Sequence, residues 1–160
     1  MFARLPRSRM IAQIINSSVE MRLYNYAYEM TRRFMSDLLK AKYLPIFEIL
    51  FNHFSLDTTR YEAKLALMLT LMPLMNRKTA ARFMKIIEVV LNEPASNSIF
   101  RNNINFLRVG LMLYRVLTEV QEEYAYSENS TQLMKDTIAE KLRSALEMYN
   151  DPDEVMILVE

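Results

Sequence analysis

The sequence contains no cysteine, one glycine and one histidine. Without cysteine there is no disulfide, no thiolate-bound metal and no thiol nucleophile. A single glycine, Gly110, cannot build the glycine-rich loops that bind phosphates in nucleotide-binding proteins. A single histidine, His53, excludes a paired-histidine metal site within one chain and leaves only one imidazole to act as a base. We therefore expect a protein that is not an enzyme and that has no cofactor, metal or small-molecule substrate.

The scarcity of glycine also indicates the fold class. Parallel α/β sheets and β-hairpins need glycine in their turns, whereas helices can be joined by short polar loops. A length of 160 residues suits one domain. We expect an all-α protein in which residues 1–152 form a compact bundle of five to seven helices. A fragment of a HEAT-like solenoid of helical pairs is the alternative, because Phe47 and Phe83 begin a loosely similar pattern about 36 residues apart.

One uncharged apolar segment, residues 65–75, dominates the middle of the chain. A helix that is apolar on every face is buried on every face, so we predict that this segment lies at the centre of the fold. It is too short for a membrane span, which needs about 20 residues. Asp57 is a suitable N-cap for the helix that leads into it, and Pro73 should end or kink that helix.

Several further helix boundaries can be predicted. Ser17 and Glu20 have the spacing of a capping box, which predicts a long helix from there to about residue 42. Asn76 should cap a helix over residues 77–91. Gly110 lies within a predicted helix at 99–126, where it costs about 1 kcal/mol relative to alanine, so we expect close contact with another helix there. The predicted core stripe of this helix comprises Phe100, Ile104, Leu107, Leu111 and Tyr114, widened by Val109, Leu113, Val116 and Val120.

The first 16 residues are basic and contain no acidic residue. This composition is similar to that of a mitochondrial presequence, but Pro6 interrupts it. Met10, Ile11, Ile14 and Ile15 form an apolar stripe of the kind that any docked helix carries. We therefore predict a short N-terminal helix and an intracellular protein, cytoplasmic or nuclear, with mitochondrial targeting as the lesser alternative.

Methionine is abundant, with 13 residues in the chain. Its flexible side chain suits irregular gaps in a core and also adaptable binding grooves. Core packing is the simpler interpretation. In the alternative interpretation, Met68, Met72 and Met75 line a groove that accepts a partner helix.

Three tyrosines, Tyr24, Tyr26 and Tyr28, occupy alternate positions of a predicted helix. Because a helix repeats every 3.6 residues, the three cannot all face inward. We expect at least one of them to be exposed, and exposed tyrosine is enriched in protein interfaces.

The C-terminal tail, residues 153–160, has an apolar centre flanked by acidic residues. Its candidate partner-binding residues are Val155, Ile157, Leu158 and Val159. This pattern resembles a SUMO-interacting motif. The resemblance implies that the tail adds as a β-strand to the sheet edge of a partner protein. In the alternatives, the tail packs on its own domain or on a second copy of the chain.

Charge is unevenly distributed, since residues 119–160 contain three basic and eleven acidic residues while the rest of the chain is net basic. Four basic residues, Arg77, Lys78, Arg82 and Lys85, fall largely on one face of a predicted helix. Such a face can bind the phosphates of nucleic acid with salt-dependent affinity that ignores sequence. No aromatic residue alternates with these cations, so an ordinary solvated face is the simpler interpretation.

The leading hypothesis is therefore a non-enzymatic protein–protein interaction module. Such a protein is an adaptor or a subunit of a homo- or hetero-oligomer, and it would use an apolar surface containing Met and Tyr together with the tail. The alternative is a nucleic-acid-associated structural protein that binds the phosphate backbone through the basic helix face.

Overall fold

The computed structural model describes residues 7–41, 45–56, 59–92, 106–124 and 127–148. Throughout these ranges the chain forms helices and short turns, with no strand. The α-helices are α1 Arg7–Glu20, α2 Tyr24–Arg33, α3 Met35–Ala41, α4 Pro45–Leu56, α5 Tyr61–Leu71, α6 Arg77–Asn92, α7 Phe106–Tyr124 and α8 Glu128–Met148. The all-α class is confirmed, but the expected number of five to seven helices is too low, because the described ranges alone contain eight.

The additional helices come from the segment predicted as one long helix from residue 17. Instead of capping a new helix, Ser17 lies within α1. The hydroxyl of the next residue, Ser18, donates to the carbonyl of Ile14 at 2.8 Å, as in a continuing helix. The helix ends where Arg22 adopts a left-handed conformation with φ of 61°. The amide of Leu23 then donates to the carbonyl of Ser18, and the amide of Arg22 donates to that of Val19. These two bonds form a Schellman motif, so the capping-box prediction is wrong.

The chain divides into two compact units, Met1–Thr79 and Ala80–Glu160. In the first unit, α1 packs against α2, α3 and α4, while α5 packs against α2 and α4. No residue of α5 is exposed, but its half-buried residues lie along one side of the helix, so the predicted burial on every face is confirmed only in part. These half-buried residues are Glu62, Ala63, Ala66, Leu69 and Thr70. Its last turn gives way to a 3₁₀ turn, Met72–Leu74, that contains Pro73, as predicted. The predicted cap Asp57 lies outside the described residues.

Helix α6 begins at Arg77, as the sequence predicts. The side-chain oxygen of Asn76 accepts a hydrogen bond from the amide of Thr79 at 2.8 Å, and the hydroxyl of Thr79 accepts one from the amide of Asn76 at 3.1 Å. This reciprocal pair satisfies amides at the start of the helix that have no helical partner. The predicted N-cap is therefore confirmed.

In the second unit, α7 and α8 pack against each other as a helical hairpin. The two helices approach closely at Gly110, where an added Cβ would lie 2.6 Å from Cδ1 of Leu142. The hydroxyl of Tyr114 also donates to the carbonyl of Lys135 on α8 at 3.0 Å. The predicted close contact of Gly110 with another helix is confirmed. The fully or nearly buried side chains of the hairpin are Val109, Leu113, Val116, Leu117, Val120, Thr131, Met134, Ile138 and Ala145.

Candidate interaction surfaces

The three methionines proposed to line a groove are buried. Met68 is 0%, Met72 6% and Met75 8% exposed. A partner helix could reach them only by displacing the residues that cover them. Their burial favours the simpler of the two predictions, in which methionine fills the core.

The tail residues proposed to bind a partner, Val155, Ile157, Leu158 and Val159, lie outside the described residues. The strand-addition hypothesis for residues 153–160 stays a prediction from the sequence.

The basic face predicted on α6 is exposed at every one of its four positions, Arg77, Lys78, Arg82 and Lys85. Lys78, Arg82 and Lys85 follow one another at steps of four and three residues, so they lie on one side of the helix. The exposed side chain of Val89 continues the same side one turn further along. This arrangement presents cations to solvent with a single apolar residue among them.

A polar cluster of the first unit joins α2, α4 and α5. The hydroxyl of Tyr24 lies 2.6 Å from Nδ1 of His53 in a hydrogen bond. Nζ of Lys64 donates to the carbonyl oxygen of His53 at 3.0 Å and lies 5.9 Å from the centre of the Tyr24 ring. Lys64 is fully buried, although the sequence suggested only that it bounds the apolar segment. The cluster links three helices through polar contacts, and a buried ammonium is stable only with such partners.

Two tyrosines have altered acidity. Burial raises the pKa of the Tyr61 hydroxyl, which is fully enclosed in the core. Partial burial, together with the neighbouring Glu123 carboxylate, raises the pKa of Tyr124. Both changes keep the phenol neutral at physiological pH, so neither hydroxyl is prepared to act as a base.

An apolar surface that was not distinguished from the core in the sequence lies on α1. Met10 is 51%, Ile14 44% and Met21 69% exposed. Met21 directly follows the last residue of α1, and its amide still donates to the carbonyl of Ser17 at 3.0 Å, so it continues the path of the helix. Together with the exposed Ser17, these positions fall within about 60° of one another around the helix axis. We call this set, Met10, Ile14, Ser17 and Met21, the outer face of α1.

The outer face of α1 lies opposite the side of the helix that is buried in the first unit, which includes Ile11, Ile15 and Val19. Met10, Ile11, Ile14 and Ile15 were predicted to form a single stripe. The structure divides them between the two sides of the helix. The spacing of these four residues did indicate that they cannot all be buried by one neighbour, because they span about 140° around the helix, which is more than one neighbouring helix covers.

A second exposed apolar pair lies on α7, where Leu107 and Leu111 project to solvent. Both were predicted to belong to the main core stripe, and that prediction is wrong. The buried stripe of α7 is instead the one that was expected only to widen the main core stripe, and it includes Val109, Leu113 and Val116. Two alternative stripes of similar hydrophobicity lie on this helix, and α8 covers the one that allows close approach at Gly110.

The three alternating tyrosines of α2 behave as predicted. Tyr24 is buried, Tyr26 is exposed and Tyr28 is partly exposed, with the guanidinium of Arg32 5.5 Å from the centre of its ring. The exposed Tyr26 adds an aromatic side chain to the surface of the first unit.

Within the described ranges, no helix has both the length and the apolar character needed to cross a bilayer. The same residues contain no group of three or more histidine and acidic side chains placed to hold a metal ion. Comparison with protein-family models, with curated proteins and with solved structures finds no match to this chain.

Proposed function

We propose that this protein is a non-enzymatic protein–protein interaction module, an adaptor or a subunit of an oligomer, that binds its partner through the outer face of α1. The observation that carries the proposal is the exposure of Met10 and Ile14 on a helix whose other side is already buried, with the exposed Met21 directly after it. A helix that is apolar on both sides gains stability when both sides are covered. Aligned apolar side chains on a surface mark interaction sites more often than single scattered ones.

Covering these side chains provides a driving force in proportion to the apolar area removed from water, at about 25 cal/mol per Å². Methionine adapts its shape to a partner, which suits a surface that forms and releases contacts. The buried Met68, Met72 and Met75 have no part in the proposed surface. The tail, residues 153–160, stays in the proposal as a second, independent contact.

The test is capture of the partner by the full-length chain and by two matched variants, with chemical cross-linking before purification. Ile14→Glu should reduce recovery of the partner about tenfold or more, because an unpaired carboxylate buried in an apolar contact costs more than about 1.4 kcal/mol. Leu133→Glu is the control, since Leu133 is also exposed but lies 13 residues from Leu146, the other large exposed apolar residue of α8, and so belongs to no aligned apolar set. Equal recovery with both variants would contradict the proposal, provided that both melt at the wild-type temperature.

A nucleic-acid-associated structural protein is the second candidate, and the exposure of the basic face of α6 favours it. In this case Arg77, Lys78, Arg82 and Lys85 would contact phosphates. Affinity for a single- or double-stranded RNA should then fall steeply between low and moderate salt. Lys78→Glu combined with Lys85→Glu should abolish it. Binding that does not depend on salt, or no binding at low salt, would exclude this candidate.

The proposal also includes the compact-bundle architecture and an intracellular location, cytoplasmic or nuclear. A compact chain of this length has a radius of gyration of about 15 Å, whereas an extended HEAT-like fragment has a larger one. Small-angle scattering of the monomer separates these two architectures.

A further inference from the structure

We infer that the outer face of α1 binds a second copy of this chain, with the two α1 helices packed antiparallel about a two-fold axis. This inference rests on the proposed function and names its partner. It follows from the spacing of the apolar residues on the outer face and from the charges beside them.

The four positions of the outer face, Met10, Ile14, Ser17 and Met21, are separated by steps of four, three and four residues. This is the spacing of the seam along which two helices pack side by side. In an antiparallel pair centred on this seam, Met10 faces Met21 of the second copy, and Ile14 faces Ser17 of the second copy. A two-fold axis repeats each contact, so one patch serves as both halves of the interface.

Two exposed charges, Arg9 and Glu20, lie on the same flank of this seam, within about 20° of each other around the helix. Neither forms an ion pair with another residue of the described ranges. In an antiparallel pair, matching flanks face each other. Arg9 then approaches Glu20 of the second copy to within about 3 Å along the axis, and this happens twice by symmetry.

The same charges disfavour a parallel pair. In a parallel pair, each residue lies beside the same residue of the second copy. Arg9 of one copy and Glu20 of the other would then be about 16 Å apart along the helix axis. The antiparallel arrangement therefore satisfies both the apolar seam and the charged flank. A second copy of the chain carries the matching apolar seam and the matching charges by symmetry. An unrelated helix would need its own sequence to provide both.

One pair of short helices is a small interface. We expect a dimer that dissociates with a constant on the order of 1–100 µM, at the weak end of specific association. Sedimentation of the full chain over a range of concentrations should show a reversible monomer–dimer equilibrium. A chain that is monomeric up to about 1 mM, ten times the weakest constant expected, would overturn the inference.

The absence of cysteine makes the orientation directly measurable. Met10→Cys and Met21→Cys are prepared separately, one with a longer tag, then mixed and oxidised. The antiparallel dimer predicts mainly the mixed disulfide, because a bridge needs Cα atoms within about 7 Å. Equal positions lie about 16 Å apart in this arrangement, so disulfides within each variant should be rare. Predominance of those disulfides would overturn the inference.

The charges provide a second test that leaves the apolar seam intact. Arg9→Glu and Glu20→Arg should each raise the dissociation constant about three- to tenfold, because each places two like-charged pairs across the dimer. The double variant Arg9→Glu/Glu20→Arg restores opposite charges and should recover wild-type association. Three variants that associate equally would contradict the charge pairing. Melting temperatures confirm that each variant is folded.

The two proposals fail in different ways. If the chain stays monomeric while Ile14→Glu still abolishes capture of another protein, the outer face of α1 is an interaction site but its partner is not a second copy. If neither self-association nor capture depends on Ile14, both proposals are wrong.

Discussion

Replacing Gly110 with alanine is expected to destabilise the α7–α8 hairpin, although alanine is the better helix former. The glycine lies mid-helix in α7, and a Cβ there would lie 2.6 and 2.8 Å from the two methyl carbons of Leu142 and 3.1 Å from its Cγ. These carbons reach an ordinary contact only at about 3.5 Å or more. Rotation about the Cα–Cβ bond of Leu142 moves all three carbons together, so the Cβ is accommodated only if Leu142 leaves its present rotamer or the helices move apart.

Two opposing contributions decide how much Gly110→Ala changes the free energy of unfolding. Helix propensity favours alanine by about 1 kcal/mol. Overpacking a close contact costs about 1–3 kcal/mol. The net expectation is a loss of about 1 kcal/mol in the free energy of unfolding. Leu142→Ala removes the methyl groups, and in that background Gly110→Ala should instead stabilise the protein by about 1 kcal/mol.

The assay is a double-mutant cycle followed by far-ultraviolet circular dichroism during thermal and chemical unfolding of the full chain. A change of 1 kcal/mol shifts the melting temperature of a chain of this size by about 2–4 °C. Hydrogen exchange of the α7 and α8 amides locates the change in the hairpin. If Gly110→Ala stabilises the protein to the same degree in both backgrounds, the close packing at Leu142 does not account for this glycine.

Three further predictions follow from other parts of the structure. Asn76→Ala should cost about 1 kcal/mol in unfolding free energy by removing the α6 cap, while Asn76→Ser should recover most of it. Arg22→Gly should be neutral or stabilising, by up to about 1 kcal/mol in chemical unfolding, because glycine adopts the left-handed conformation without strain; clear destabilisation would contradict the assigned φ of 61°. Burial raises the pKa of Tyr61, so the unfolded chain loses this proton first and stability falls as the pH rises above about 10. Tyr61→Phe should reduce this alkaline loss in denaturant titrations between about pH 9 and 11, whereas the exposed control Tyr26→Phe should not.

The parts of the fold that the sequence predicted are those controlled by local chemistry. The start of α6 follows from the Asn76 side chain, the end of α5 follows from Pro73, and the burial of α5 follows from an apolar segment with no polar side. The helix break at Arg22 was missed because its residue type carries no turn signal. The left-handed conformation of Arg22 is held by the local Schellman bonds and by the side chain of Arg60, which lies 38 residues away in the sequence.

The candidate surfaces were harder to predict, since exposure depends on which side of a helix its neighbours cover. Met68 and Met10 are equally apolar, yet one is enclosed by the core and the other projects from α1. Leu107 and Leu111 were assigned to the core of α7 for the same reason. The buried Lys64 was missed because one of its partners is the carbonyl oxygen of His53, a backbone atom that no side-chain pattern reveals.

Two left-handed residues in the described part of the first unit, Arg22 and Arg60, are joined to each other. Nη1 of Arg60 donates to the carbonyl oxygen of Arg22 at 2.9 Å, and Arg60 itself precedes α5 with φ of 52°. A glycine at position 60 could adopt the same backbone but could not make this bond. This hydrogen bond therefore links the turn between α1 and α2 to the turn before α5, although 38 residues separate Arg22 from Arg60 along the chain. When either turn unfolds, the hydrogen bond between Arg60 and Arg22 is lost and the other turn is destabilised. The amides of Leu23 and Lys64 should therefore lose their protection from hydrogen exchange together, as one cooperative element of the first unit.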